Sequence, residues 1–285
     1  MPADMQALLA DLAAETQVVR EMLVPLDDAG WETPTPAEGW AVRDQVSHLA
    51  YFDEAATLAA ADPDRFRAEA AELMRGGPSF PDDISARYCE MPPAKLLTWF
   101  GDARQQFAAT FGRIEPKARL PWYGPDMSAA SSVTARLMET WAHGQDVADA
   151  LGVRREPTGR LRHVAHIGVR TSGFAFQLNG RPAPDAEVRV ELAAPDGSTW
   201  TWGPAGATDK VTGTALDFCL VVTQRRHIAD TALTVDGPAA TEWMSIAQAF
   251  AGPPGTGRRP GQFAGGPVHR PGDPGDADGQ RRQTR

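Results

Sequence analysis

Apolar residues recur at three- and four-residue intervals along most of the first 180 positions and in alternation after that. From Asp4 onward, Met5, Leu8, Leu9, Leu12, Val19, Met22 and Leu23 fall on one helical face, and the run ends before Pro25 and the turn-rich TPTPAEG at 33–39. The pattern resumes at Val42 in VRDQVSHLAYFDEAATLAAA, where Val46, Leu49, Ala50 and Leu58 repeat until ADPD at 61–64 closes a second helix carrying His48. The same spacing predicts a short helix over Phe66–Met74 and a longer one from Pro92 to Ile114, with Pro93 in its first turn, where proline costs no hydrogen bond. Further helices are predicted over Ala129–Leu151 and over 161–178.

After Gly180 the texture changes. AEVRVELAA and STWTWG alternate apolar with polar residues around PDG at 195–197, which predicts a hairpin. KVTGTA, a helical LDFCLVVTQ, a strand in TALTVDG at 231–237 and a closing helix in AATEWMSIAQAF follow. The fold class expected is therefore α+β: a helical bundle over 1–155, an extra helix with a small α+β unit over 156–251, and a Gly/Pro/Arg tail over 252–285. That tail has scarcely an apolar residue besides Phe263 and Val268 and is expected to be disordered, because such a composition cannot offset its ordering entropy.

Composition narrows the function classes. A length of 285 residues with 42% hydrophobic content supports a sizeable core, and a net charge of -9 argues against nucleic-acid binding, which needs a basic surface. The N-terminal MPADMQALLADLAAETQVV lacks a basic region, and its apolar residues are interrupted by Asp4, Asp11, Glu15 and Thr16, so it reads as an amphipathic helix rather than a signal peptide. No stretch approaches the roughly 20 apolar residues of a membrane span. Cys89 and Cys219 form no close pair, and a reducing cytoplasmic setting with no membrane partner is expected.

The chemistry concentrates in METWAHGQDVADALG at 138–152. Glu139 and His143 are four residues apart on one helical face, a spacing that makes either a weak surface pair or two ligands for one cation. His48, mid-helix among apolar neighbours, needs either a carbonyl partner or a metal to offset its burial. Together His48, Glu139 and His143 supply two nitrogens and one oxygen from helices that can face each other, the three-ligand recipe for a zinc site with an open position. Asp146 is placed either to orient His143 from behind or as an ordinary solvated residue. His163 and His166 share a face but no carboxylate lies in their stretch; His227 follows Arg225 and Arg226; His269 lies in the tail.

These residues carry a resemblance. GWAVRDQVSHLAYFDEAA at 39–56 and LMETWAHGQDVADALG at 137–152 resemble the two metal-binding helices of the DinB-like superfamily, and within it the mycothiol-dependent maleylpyruvate isomerases. The resemblance implies a DinB-like four-helix bundle in which His48, Glu139 and His143 bind a divalent metal, Zn2+ first among them. It covers residues 5–152 and, more weakly, 181–250, where VTGTALDFCLVV and ALTVDGPAA are similar to the small, sterol-carrier-like C-terminal domain of those isomerases. LPWYGPDMSAASS at 120–132 and the tail depart from the isomerases; the former resembles an uncharacterised metal-binding subfamily.

The implied reaction uses a small-molecule thiol, since neither cysteine sits in a metal motif. The resemblance names mycothiol, activated by the metal for addition to an electrophilic substrate as an S-transferase or cis-trans isomerase. By the same resemblance Arg225 and Arg226 are the candidate catalytic cations for an anionic group; a solvated pair at a helix end is the alternative. Trp122, Tyr123 and Met127 lie before the second metal helix and are placed to wall the pocket, with core packing the alternative for Trp122. Two rival functions stay open: a metal-dependent hydrolase with Asp146 or Glu54 as base, and a non-catalytic protein binding a metal or small ligand.

Overall fold

The structure is a computed structural model that describes residues 4–255 and 257–263. Asp4 caps α1 (Met5–Leu23) by accepting from the backbone N–H groups of Gln6 and Ala7, and a one-turn α2 (Asp28–Trp31) follows. The chain continues through α3 (Val42–Ala61), α4 (Pro63–Met74), α5 (Phe80–Arg87) and α6 (Pro93–Phe111). A two-stranded antiparallel ribbon, β1 (Arg119–Leu120) with β2 (Met127–Ser128), leads into α7 (Ala129–Leu151). Ser128 caps α7 and Gly152 ends it in the left-handed region at φ 65°. Four long helices, α1, α3, α6 and α7, pack as a bundle, α3 against α6 and α7, and α1 against α7. Gly144 sits at the closest approach of α1 to α7: a Cβ there would lie 2.7 Å from Val19 Cγ2.

Next come α8 (Leu161–Arg170) and α9 (Ser172–Leu178), where one helix was expected. The break falls at Thr171, whose hydroxyl donates to the carbonyls of Ile167, Gly168 and, across the fold, Gln248, so the backbone turns to reach the C-terminal segment. The predicted hairpin is present as β3 (Val188–Ala193) and β4 (Thr199–Trp202). The chain then crosses to the far side of β3, where β5 (Asp209–Thr214) runs parallel to it. Gly203, at φ 76°, permits the crossing, since a Cβ there would lie 2.3 Å from the Val188 carbonyl oxygen. α10 (Ala215–Val222), a 3-10 turn (Ile228–Asp230), β6 (Thr234–Asp236) and α11 (Pro238–Ile246) complete a four-stranded sheet in the order β4-β3-β5-β6 with helices packed on it. The α+β class expected from the periodicity is the class observed.

A core running from α1 and α7 through α8 to Phe218, Trp243 and Met244 joins bundle and sheet. Ion pairs reinforce the junction: Asp146 and Asp149 on α7 meet Arg225 and Arg226 just beyond α10, all at 2.7 Å. Residues 257–263, read from composition as disordered, are placed here as well. Arg258 reaches Asp146 at 2.7 Å, and the Phe263 ring lies 3.7 Å from the Arg226 guanidinium. This segment is held by a buried charge and a cation–π contact, which counts of apolar residues do not register. Residues 264–285, with His269, lie outside the described residues.

Candidate metal centre

α3 and α7 face each other over two turns, and there His48, Glu139 and His143 bring their ligand atoms within 4.8 Å of one another. Glu139 Oε2 lies 3.1 Å from His143 Nε2 and 3.8 Å from His48 Nε2. The i, i+4 spacing on α7 stacks carboxylate and imidazole, and α3 supplies the second imidazole from the opposite side. Gln45, one turn before His48, fixes the ring of His143: its Oε1 lies 2.5 Å from Nδ1, and its own amide donates to Thr35 Oγ1, which sets which way the amide faces. With Nδ1 held by that oxygen, Nε2 of His143 faces Glu139 Oε2.

Burial pushes His48 down to about 3, helped by the neighbouring His143, so its imidazole is neutral at pH 7. Burial alone would raise Glu139, but hydrogen bonds from His143 and His48 outweigh it and hold the carboxyl well below its usual range. The centre thus presents two imidazoles and one anion. Among the described residues, no Lys or Arg pairs with Glu139. His48 Nδ1 is buried without a hydrogen-bond partner.

Aromatic rings border the centre. Trp40 lies 5.3 Å from the His48 ring and 5.9 Å from that of His143, and its indole N–H donates to Asp82 of α5. Phe52 is 4.5 Å from His48 and continues into Tyr123, Trp122 and Phe66. Trp122 and Tyr123 therefore stand beside the centre through Phe52, while Met127 starts β2 opposite Leu120.

One turn deeper, buried Asp53 accepts from Arg104 Nε at 2.7 Å and Arg136 Nε at 2.9 Å. Arg104 also donates to Thr16 and Thr140, and Arg136 to the Leu49 carbonyl. This network ties all four bundle helices one turn from His48 and Glu139, and the helix periodicity gave no sign of it.

Several sequence expectations change at this point. Asp146 does not orient His143; Gln45 does, and Asp146 is occupied by Arg225 and Arg258. Arg225 and Arg226 do not join the three ligands: Asp146 and the Thr223 carbonyl engage the first, Asp149 and the Arg225 carbonyl the second. Glu54 is exposed and accepts from Trp99 Nε1. His163 pairs with Asp11 of α1 at 2.8 Å, His166 accepts from Trp202, and His227 caps the 3-10 turn. Those partners lie far away in sequence or on the backbone, so spacing within one helix did not reveal them.

Comparison with known proteins bears on this arrangement. Residues 12–148 match the family described as "Mycothiol maleylpyruvate isomerase N-terminal domain", a range that spans all three ligand candidates. Two uncharacterized proteins of Mycobacterium tuberculosis, from strains CDC 1551 and H37Rv, are each 45% identical over 260 residues, covering 90% of this chain and 100% of the relative. The chain belongs to the mycothiol-dependent maleylpyruvate isomerase family. The crystal structure of a mycothiol-dependent maleylpyruvate isomerase shares this family's fold with the chain, at a TM-score of 0.54, 15% identity and coverage of 79% of this chain and 90% of that one. A histidine-to-alanine mutant of that isomerase matches at the same TM-score and coverage with 14% identity. Residues 184–236, from just before β3 through β6, match a second family, described as "Wyosine base formation". No helix among the described residues is long and apolar enough to cross a membrane.

Proposed function

We propose that the protein binds a divalent metal, zinc first among candidates, through His48, Glu139 and His143 and uses it in mycothiol-dependent S-transfer or cis-trans isomerisation. The observation that carries this reading is the donor set: two imidazoles, of which His48 is held neutral by burial, converge with an ionised carboxylate, and among the described residues no Lys or Arg pairs with that carboxylate. A divalent ion supplies the positive charge, and two nitrogens and one oxygen suit zinc with a position left open. Bound there, zinc would lower the pKa of an added thiol and keep its thiolate, the reactive nucleophile, available at neutral pH.

The chain's own residues then have distinct tasks. Gln45 holds His143 with Nε2 forward, and burial keeps His48 unprotonated. Asp53, Arg104 and Arg136 lock α3 to α7, so the ligands arrive already positioned and little ordering entropy remains to oppose binding. Cys219 is buried with its thiol pushed well up by burial, and Cys89 is exposed and belongs to no metal cluster, so the nucleophile comes from outside the chain. Addition of a thiolate to a double bond conjugated with a carbonyl leaves a single bond that can rotate. Elimination returns the thiolate and the trans isomer, whereas a retained adduct is the product of transfer. The hydrolase alternative loses support, because Asp146 and Glu54 are both engaged away from the centre.

Metal content tests this. The wild-type chain is expected to carry one divalent ion, and His48→Ala, Glu139→Ala and His143→Ala to lose it while keeping their helical circular dichroism. Mycothiol is expected to raise the melting temperature of the zinc-loaded protein only. Full metal content in all three variants would remove the site.

A further inference from the structure

The two imidazoles of the centre are supported unequally, and the difference gives them different tasks toward the ion, an inference that rests on the metal-binding half of the reading above. An imidazole that ligates a metal through Nε2 keeps its proton on Nδ1, and that proton needs an acceptor wherever water is excluded.

For His143 the acceptor is built in. Its Nδ1 lies 2.5 Å from Oε1 of Gln45, a fully buried residue. The Gln45 amide donates to Thr35 Oγ1 at 2.8 Å, and the Thr35 hydroxyl donates in turn to the Trp40 carbonyl at 2.8 Å. A carbonyl can only accept, so the direction of every bond in this chain is set from its far end, and Oε1 is the atom left to face His143. A bridge between Pro34 and Ala41 fixes the loop that carries Thr35 and Trp40. With Glu139 one turn earlier on the same helix, α7 offers two donors from one rigid element, one of them held from behind.

His48 has no such backing. Its Nδ1 is buried without a hydrogen-bond partner among the described residues, and the ring centroids of Phe52 and Trp40 lie 4.5 and 5.3 Å from its own. The carbonyl one turn back, that of Asp44, accepts from the Ser47 hydroxyl at 3.1 Å and from the Ser85 hydroxyl of α5 at 3.4 Å. Nε2 of His48 also stands further from Glu139 Oε2, at 3.8 Å against 3.1 Å for His143. Holding a metal would leave the His48 N–H buried and unpaired, a cost that His143 does not carry.

We infer that Glu139 and His143, the latter set by Gln45, anchor the ion from α7, and that His48 is the weakly held third ligand. Gln45 is then a positioning residue that acts on the ion only through His143. An incoming molecule with two donor atoms can take the open position and the place of His48 while the α7 pair keeps the ion.

Zinc affinity of the full-length protein, read by competition with chelators of graded strength, tests the order. Each alanine variant of a ligand should bind zinc more weakly than wild type, with His143→Ala at least tenfold weaker than His48→Ala. Gln45→Ala should cost roughly ten- to hundredfold, the usual worth of such a partner. Gln45→Glu, which keeps an acceptor, should stay within about threefold of wild type, and Gln45→Met takes the place of Gln45→Ala if that variant loses its helical circular dichroism. Because Gln45 acts through His143, Gln45→Ala should cost nothing further in His143→Ala but its full factor in His48→Ala. A loss in His48→Ala equal to or greater than that in His143→Ala, the same Gln45→Ala penalty in both backgrounds, or Gln45→Ala within threefold of wild type overturns the inference. Wild-type protein that binds no zinc sinks the reading above and this inference together, whereas zinc bound by wild type with the order reversed sinks this inference alone.

Discussion

Replacing Asp53 by Ala tests the polar heart of the bundle. Asp53 is fully buried and pairs with two guanidiniums at once, Arg104 at 2.7 Å and Arg136 at 2.9 Å, themselves buried. Burial pulls Arg104 toward losing its proton and Asp53 draws it back, while Arg136 opposes it, so removing the carboxylate leaves two like charges facing each other out of water. Breaking a buried pair from one side costs about 3–5 kcal/mol, and two orphaned cations place this substitution near the upper end. Against the roughly 5–15 kcal/mol that holds a typical domain folded, that loss is a large fraction. Urea titration followed by helical circular dichroism is the assay, with Asp53→Ala/Arg136→Met as the partial rescue, since it removes one stranded charge together with its partner. A midpoint within about 0.5 kcal/mol of wild type, the range of an ordinary surface change, or a double variant no more stable than the single one, would refute this account.

Gly144→Ala, by contrast, overpacks the contact between α1 and α7 at buried Val19, and should cost about 1–3 kcal/mol in the same urea assay without changing the ligand residues. Acid should destabilise the metal-free protein. His48 titrates at about 3 when folded instead of near 6.5, so the unfolded chain binds the extra proton between those values. Stability from this group is therefore present above pH 6.5 and lost as pH falls toward 3; urea midpoints at pH 7 and 5 check it, and His48→Gln should flatten the slope. Iodoacetamide should modify exposed Cys89 alone in the native protein and both cysteines in urea, because Cys219 is buried with its thiol pushed well above the usual range; mass spectrometry counts the adducts.

Residue spacing was enough to find the four long helices and, within them, the three side chains that converge at the candidate metal centre. Their signals are local: a period near 3.6, a proline or capping residue at each end, and an acid and imidazole four apart. What spacing could not show depends on partners distant in the chain. Gln45 looks like any polar residue in its helix until Thr35 orients its amide and His143 arrives from α7. Arg225 and Arg226 look like free cations until α7 brings Asp146 and Asp149 against them. The short α5 has only Ile84 and Ser85 buried, so its periodicity is faint, and β1 and β2 are two residues each. The apparent single helix over 161–178 divides because Thr171 bonds to Gln248, a residue 77 positions away.

Helix α7 carries two of the metal-centre residues on one stretch and, within the next two turns, the acids that receive Arg225, Arg226 and Arg258. The C-terminal half is thus moored to the same rod that shapes the site. Severing the chain near residue 155 would strip Asp146 and Asp149 of their counter-charges and uncover apolar side chains of α7. The amputated bundle should therefore clump or melt before metal binding could be measured on it, so each half is best studied with the other attached.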